Sequence, residues 1–330
     1  MLHSHLTTLH TISLILQLLD KEGEDSAEDL LAGSGIRLDD LQHPDIRITT
    51  AQEMRVCANA RARRQELGLL LGQRMHVSSY GLLGYTLLSS ATLGDALELA
   101  LSYPALLGTY FELSLHHEGD SVWLQADGYR DLHELETFNT EFCLASLKLV
   151  CDDLLGRPLP LRDVQFKHPE PDYRASYAAS FDAPLRFDAG RNALCFDAAW
   201  LAQRLPLADP VTHRDMRERC RQQNSEFVHH QGWVTRCRQT LASQLPAPPG
   251  LDSLARQLKC SPRTLRRHLQ DAGTSYQTLL DELRFEQARQ LLGQALPINH
   301  IAEVMGYSET ASFRHAFQRW SGLSPSRFRA

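Results

Sequence analysis

Paired cysteines are missing from this 330-residue sequence: its seven cysteines (57, 143, 151, 195, 220, 237 and 260) stand singly, with no C-x-x-C spacing and an odd total. That pattern excludes a disulfide framework and a cysteine-based zinc site, and points to reduced thiols in a cytoplasmic protein. Long apolar runs are missing as well. The stretch over residues 12–19 is too short to span a bilayer and no basic residue precedes it, so it reads as neither signal peptide nor anchor, and no membrane partner is expected. Catalytic signatures are absent: there is no G-x-S-x-G, no phosphate-binding glycine loop, no H-E-x-x-H and no Cys–His pair at informative spacing. The histidine pairs 116/117 and 229/230 and the trio His3, His5 and His10 lack matching ligands and read as solvated or capping groups, so neither metal nor cofactor is expected. Lysine is scarce. Only Lys21, Lys148, Lys167 and Lys259 occur among 34 basic residues, so positive charge sits on forked guanidinium groups suited to phosphate and guanine, although genome base composition gives the same bias.

Charge is divided unevenly along the chain. Residues 211–330 hold 17 Lys plus Arg against 10 Asp plus Glu, a net of +7, which leaves −13 for residues 1–210 within the overall −6. A polyanion suits the basic end and is repelled by the acidic end.

The basic end is written twice. Leu254-Ala255-Arg256-Gln257-Leu258-Lys259-Cys260-Ser261 returns as Ile301-Ala302-Glu303-Val304-Met305-Gly306-Tyr307-Ser308, and a polar amphipathic helix follows each copy. A short helix, a tight turn and a second helix starting at Ser form a helix-turn-helix, here in tandem at about 251–272 and about 298–320. The second helix of such a unit enters a major groove about 12 Å wide. In the first copy Ser261 is an N-cap, Pro262 sits at N1, Leu265 and Leu269 face inward, and Arg263, Arg266 and Arg267 face outward. In the second, Ser308 is the expected cap, Phe313 and Phe317 face inward, and Thr310, Ser312, Arg314 and His315 remain outside. Arg forks onto guanine O6 and N7 for about 1–3 kcal/mol of discrimination, so the first copy is expected to carry more affinity and the second to tolerate more variation. Between them a helix over about 275–292 opens on a Thr274-x-x-Gln277 capping box. Its length, roughly 27 Å, approaches one DNA turn of about 34 Å once flanking turns are added.

The front of the chain mixes helical and strand patterns and reads as an α+β domain over residues 1–205. Within 54–75 a helix carrying Arg61, Arg63 and Arg64 on one side is expected, then a stretch punctuated by Gly68, Gly72, Gly81 and Gly84; another helix is expected from Thr92 to near Pro104, a hairpin turning at Glu118-Gly119-Asp120, a long helix over 134–155 and a strand over 164–168. Residues 207–223 read as a charged helix and 222–230 as a polar hinge, which makes 206–230 a linker before an all-α domain over 231–330. His168 shares the inward parity of Val164 and Phe166. It lines a pocket or is a satisfied core histidine. Lys167, Arg174 and Arg186 could each meet a carboxylate effector, and nothing selects among them.

The run Ile301-Ala302-x-x-Met305-Gly306-Tyr307-Ser308-x-x-x-x-Phe313-x-x-x-Phe317-x-x-Trp320-x-Gly322-x-Ser324-Pro325-x-x-Phe328-Arg329 resembles the signature of the AraC/XylS family of transcription regulators. The resemblance covers residue 233 to the end. It implies a bipartite domain that binds double-stranded promoter DNA and recruits RNA polymerase, with base-reading positions at Arg263, Arg266, Arg267, Thr310, Ser312 and His315. Lys259 departs from the family pattern, where Gly is common. More loosely, Gly81-x-x-Gly84-Tyr85, Thr92-Leu93-x-x-Ala96-Leu97, Phe166-x-His168-x-x-Pro171 and Phe181-x-x-Pro184-x-x-Phe187 are similar to the ligand-binding domain of the subgroup with ornithine-utilisation and virulence regulators; Asp182 replaces a small residue there. That likeness implies a small-molecule effector (amino acid, fatty acid or other small organic acid) and a domain that pairs into a homodimer. The expected function is an effector-responsive regulator, an activator by this resemblance. The alternatives are an enzyme domain fused to a DNA-binding tail and an architectural protein indifferent to effector.

Overall fold

The computed structural model describes residues 6–20, 27–43, 46–129, 133–294, 296–321 and 323–329; His3 and His5 lie outside them. The chain forms two compact units, one mainly Cys57–Glu226 with His10–Gly23, the other mainly Phe227–Ala330 with Glu24–Val56. In chain order the first elements are β1 (Leu6–Thr8), α1 (His10–Asp20), α2 (Ala27–Leu31), β2 (Arg47–Thr49), antiparallel to β1, and α3 (Thr50–Arg61). Then come α4 (Leu67–Gly72), α5 (Gly81–Leu88), α6 (Leu93–Ser102), α7 (Pro104–Leu107), β3 (Glu112–Glu118), β4 (Ser121–Asp127) and α8 (Glu136–Leu155). β5 (Leu161–Gln165), β6 (Leu185–Arg186) and β7 (Ala193–Asp197) complete a five-stranded sheet of order β3-β4-β7-β5-β6, antiparallel except for β5 beside β6.

Alternation builds this sheet. Val122, Leu124 and Ala126 of β4 and Leu194 and Phe196 of β7 are buried and share a core with Leu144, Ala145, Cys151 and Leu154 of α8. The β3–β4 turn uses Gly119 at φ +65°, a left-handed conformation that glycine adopts without steric penalty. α6 opens as its sequence requires: Thr92 accepts from the Asp95 N–H, and the Asp95 carboxylate accepts from the Thr92 N–H at 3.1 Å. The glycines of α4 have a packing reason. A Cβ at Gly72 would stand 2.4 Å from Ala145 Cβ, and one at Gly68 2.5 Å from the Phe138 carbonyl oxygen, so α4 lies against α8 closer than any side chain allows.

Several boundaries differ from the sequence pattern. The helix expected to carry Arg61, Arg63 and Arg64 ends at Arg61 (α3), and the glycine-punctuated stretch after it holds a second helix, α4, from Leu67. The strand expected to reach His168 ends at Gln165, because the backbone beyond it bonds to the 186–189 loop, as where Ala189 N–H donates to Phe166 O at 2.9 Å. The polar hinge over 222–230 is not a break: α9 (Pro210–Ala242) runs 33 residues through it. No proline follows Pro210 until Pro246, and polarity alone does not end a helix that lacks a breaker.

Beyond α9 the chain is helical: α10 (Leu251–Gln257), α11 (Pro262–Asp271), α12 (Tyr276–Gly293), α13 (Ile298–Val304), α14 (Thr310–Ser321) and α15 (Pro325–Arg329). The fold is therefore α+β in the first unit, with an all-α run of two helix-turn-helix units joined by a long helix in the second. Each unit of the tandem has its own core. Leu279 and Leu283 of α12 pack with Val234, Cys237 and Leu241 of α9, Leu254 of α10, and Leu265 and Leu269 of α11. Ala288 and Leu292, farther along α12, pack with Ile301, Phe313 and Phe317. Arg238 of α9 also grips α12, donating to Glu282 and Glu286 at 2.6 Å each with only 13% of its side chain exposed. No helix among the described residues is long and apolar enough to cross a membrane.

Candidate nucleic-acid interface

The two turns close by the same hydrogen bonds. In the first, Cys260 N–H donates to Ala255 O at 3.0 Å and Lys259 N–H to Arg256 O at 3.1 Å; in the second, Tyr307 N–H donates to Ala302 O and Gly306 N–H to Glu303 O, both at 2.9 Å. These are paired Schellman motifs, and the residue after each cap must be left-handed. Gly306 (φ +78°) does this freely, whereas Lys259 (φ +55°) does it with a side chain attached.

After the turn the copies diverge by one residue. Ser261 caps α11, its Oγ accepting from Thr264 N–H at 3.0 Å, and Pro262 follows at N1. Ser308 does not take the corresponding place. α14 starts at Thr310 and Phe313 N–H bonds to Glu309 O, so Glu309 holds the cap position. The physical reason lies in spacing: Leu265 follows Ala255 by ten residues, Phe313 follows Ala302 by eleven, and burial of the phenylalanine sets the helix phase. The box at the head of α12 also shifts by one. Ser275, not Thr274, is the N-cap, accepting from Thr278 N–H at 3.1 Å, because Thr274 N–H is already used in closing α11 onto Leu269 O.

On α11, Leu265 and Leu269 are fully buried while Arg263, Arg266 and Arg267 are exposed. On α14, Phe313 and Phe317 are buried; Ser312, Arg314 and His315 are exposed, and Thr310 is half-buried at the first turn. The side chains of Arg263, Arg266, Arg267 and Arg314 make no hydrogen bond or ion pair among the described residues. By contrast Arg238 is held by two glutamates and Arg319 by Asp281 at 3.2 Å. α12, 18 residues long, has a length of about 27 Å. The end of α11 is backed by aromatic rings: His268 stacks on Trp233 of α9 with centroids 4.5 Å apart and planes 9° from parallel. Glu309, an exposed carboxylate at the start of a recognition helix, escaped the sequence reading; the eleven-residue spacing was the signal that could have found it.

In the sheet unit, the residues singled out for a ligand separate. Lys167 is exposed and donates to Asp127 at 2.6 Å, and Arg174 is exposed beside Glu170 at 3.3 Å. Arg186 is exposed and pairs with Asp163 at 3.2 Å. His168 instead joins an aromatic cluster, its ring 5.1 Å from Phe166 and 5.7 Å from Phe187. Nδ1 donates to the Pro169 carbonyl oxygen at 2.9 Å, Nε2 is buried without a partner, and burial holds its pKa below the usual histidine value. A buried acid that bonds to the tyrosines of this cluster was not foreseen. Glu141 of α8 is fully buried and accepts from the hydroxyls of Tyr173 (2.8 Å) and Tyr177. Burial raises its pKa to about 7 against the opposing pull of the two hydroxyls and of Arg61. Only a place in the second turn of a helix hints at such a glutamate, and helices carry many exposed ones.

Two family models match the chain. Residues 26–205 match the arabinose-binding domain of AraC transcription regulator, N-terminal, and residues 254–330 match a helix-turn-helix domain. The chain is 34% identical over 307 residues to an ornithine utilization regulator of Pseudomonas aeruginosa, covering 92% of this chain and 91% of that protein. It is 29% identical to the HTH-type transcriptional regulator VqsM of the same species, over 79% of this chain and 83% of the relative. Among solved structures it is similar to transcriptional regulator CdpR from Pseudomonas aeruginosa, at 28% identity, 79% of this chain, 85% of that one and a TM-score of 0.41. With a ligand-domain match over more than half its length and a tandem helix-turn-helix at its end, the chain belongs to the AraC family of transcription regulators, and it is a DNA-binding regulator rather than an enzyme.

Proposed function

We propose that this regulator answers to a small effector and, through α11 and α14, reads two successive major grooves of promoter DNA, acting as an activator that recruits RNA polymerase from the cytoplasm. Residues 1–205 bind the effector and pair into a homodimer, and residues 231–330 bind DNA. The observation that carries the reading is the set of uncommitted guanidinium groups on α11, three exposed arginines on one helix that make no hydrogen bond or ion pair among the described residues, where Arg238 and Arg319 are held by carboxylates. Arg263, Arg266 and Arg267 take bases and phosphates of one groove, with Ser261 holding the helix end at the backbone. Thr310, Ser312, Arg314 and His315 take the next groove, and Glu309 adds an acceptor suited to cytosine N4. An amino acid, fatty acid or other small organic acid is the effector class; the name of the ornithine utilization regulator supports the first of these.

The test is Arg266→Ala on the promoter site. The expected loss is about 1–3 kcal/mol with relaxed preference at one base pair. Equal weakening on every sequence, measured by competition binding against randomised sites, would assign Arg266 to phosphate and withdraw it from base reading.

A further inference from the structure

A cavity of about 410 Å³ opens within the sheet unit between α6, the 204–209 segment and the first turns of α9. Its charged lining is Asp95, Glu98, Arg204, Asp209, His213 and Arg217. Half of these groups have structural duties. Asp95 completes the Thr92 cap, accepting from Thr92 Oγ1 at 2.8 Å. Asp209 caps α9, accepting from Val211 N–H at 2.9 Å and Thr212 Oγ1 at 2.6 Å, which holds its carboxyl below the usual range and keeps it ionised. His213 donates from Nδ1 to Thr86 O at 3.2 Å. Glu98, Arg204 and Arg217 have no such duty: their side chains make no hydrogen bond or ion pair among the described residues. The two guanidinium groups and the carboxylate face solvent from α6, the 204–209 segment and α9 without pairing with one another, so a ligand carrying both signs of charge can engage all three at once.

We propose that this cavity is the effector site and that its ligand is a basic α-amino acid, with the α-carboxylate on Arg204 and Arg217 and ammonium groups on Glu98 and the acidic rim. The assignment rests on the effector reading above and narrows it. Three carboxylates against two guanidinium groups leave the lining one negative charge in excess, which matches a molecule bearing one carboxylate and two ammonium groups. The volume lies within the range of about 300–1,000 Å³ found for small-molecule sites. A fatty acid fits poorly, because Leu99 and Pro210 are the larger apolar residues of a wall that otherwise presents alanines, serines and charged groups. Pro210, His213 and Arg217 belong to α9, the helix whose later residues Val234, Cys237 and Leu241 enter the core of the first helix-turn-helix.

The experiment is isothermal titration of the full chain with L-ornithine, putrescine (which lacks the carboxylate) and pentanoate (which lacks both amines), repeated on Glu98→Gln, Arg204→Gln and Arg217→Gln. L-Ornithine should bind wild type, the two fragments at least about tenfold more weakly, and each variant should lose about tenfold for L-ornithine while melting at the wild-type temperature in its absence. Undiminished binding of L-ornithine by all three variants would overturn the location and leave an amino-acid effector standing. Binding of a fatty acid but of no amino acid would overturn the ligand class and the cavity together, while the effector reading survives. If amino acids, fatty acids and small organic acids all fail to bind, the effector reading itself falls.

Discussion

At position 259 a lysine occupies backbone that its counterpart fills with Gly306. A side chain in the left-handed region costs about 1–2 kcal/mol, and replacing it with glycine raises unfolded-chain entropy by about 0.4–1 kcal/mol, so the strain term is the larger. Lys259→Gly is therefore expected to stabilise the DNA-binding unit by up to about 1 kcal/mol, read from urea unfolding; a lowered midpoint would show that the lysine side chain holds the turn. Glu141 makes the complementary case of a buried charge. Its folded pKa of about 7 stands above the ordinary 4.5, so the native state holds the proton more tightly than the unfolded chain does. Stability is greatest below the unfolded value and declines as pH rises through about 7, by about 3 kcal/mol if fully expressed. Glu141→Gln keeps an acceptor for the tyrosine hydroxyls and removes the charge. Its melting temperature should exceed that of wild type at pH 8 and match it near pH 4.5; parallel pH profiles for the two proteins would refute the assignment.

Among the elements, α4 and α8 show how a helix pair depends on two missing side chains. Gly68 and Gly72 lie four apart, hence on one face of α4, and that face meets α8 at a distance that excludes a methyl group. Gly72→Ala would gain helix propensity of about 1 kcal/mol, yet it places a carbon 2.4 Å from Ala145 Cβ, and overpacking of this kind costs about 1–3 kcal/mol. Net destabilisation of about 1 kcal/mol is expected in thermal melts, and a more stable variant would mean that the two helices separate easily. The glycines were visible in the sequence as punctuation, but their partner was not, since α8 lies about 70 residues away along the chain. The continuity of α9 was hidden for the opposite reason. Residues 222–230 are mostly polar and resemble a hinge, whereas the backbone needs no continuous apolar face to remain helical when each end is anchored in a core, by Cys220 in one unit and Val234 in the other.

For the molecule as a whole the division of charge governs behaviour in salt. Residues 231–330 alone should bind duplex DNA, with log affinity falling by about 0.9 per phosphate contact for each unit of log salt, and a fragment indifferent to salt would contradict a basic binding surface. The full chain carries the acidic front as well, so its non-specific affinity should lie below that of the fragment at equal salt.

The sequence by itself determined the tandem helix-turn-helix, because each unit closes within some 20 residues and its turn and buried leucines and phenylalanines follow local rules. It also determined the outward position of Arg263, Arg266 and Arg267, which follows from helical phase once Leu265 and Leu269 are inside. The tertiary structure decided what depends on residues distant in the chain. It set Glu309 rather than Ser308 at the head of α14 through the burial of Phe313, pinned Lys167 and Arg174 to surface carboxylates, and hid Glu141 beneath two tyrosines. It brought Glu98 and Arg217 to one cavity across more than 100 residues, since only packing, which has no period in the sequence, makes such neighbours.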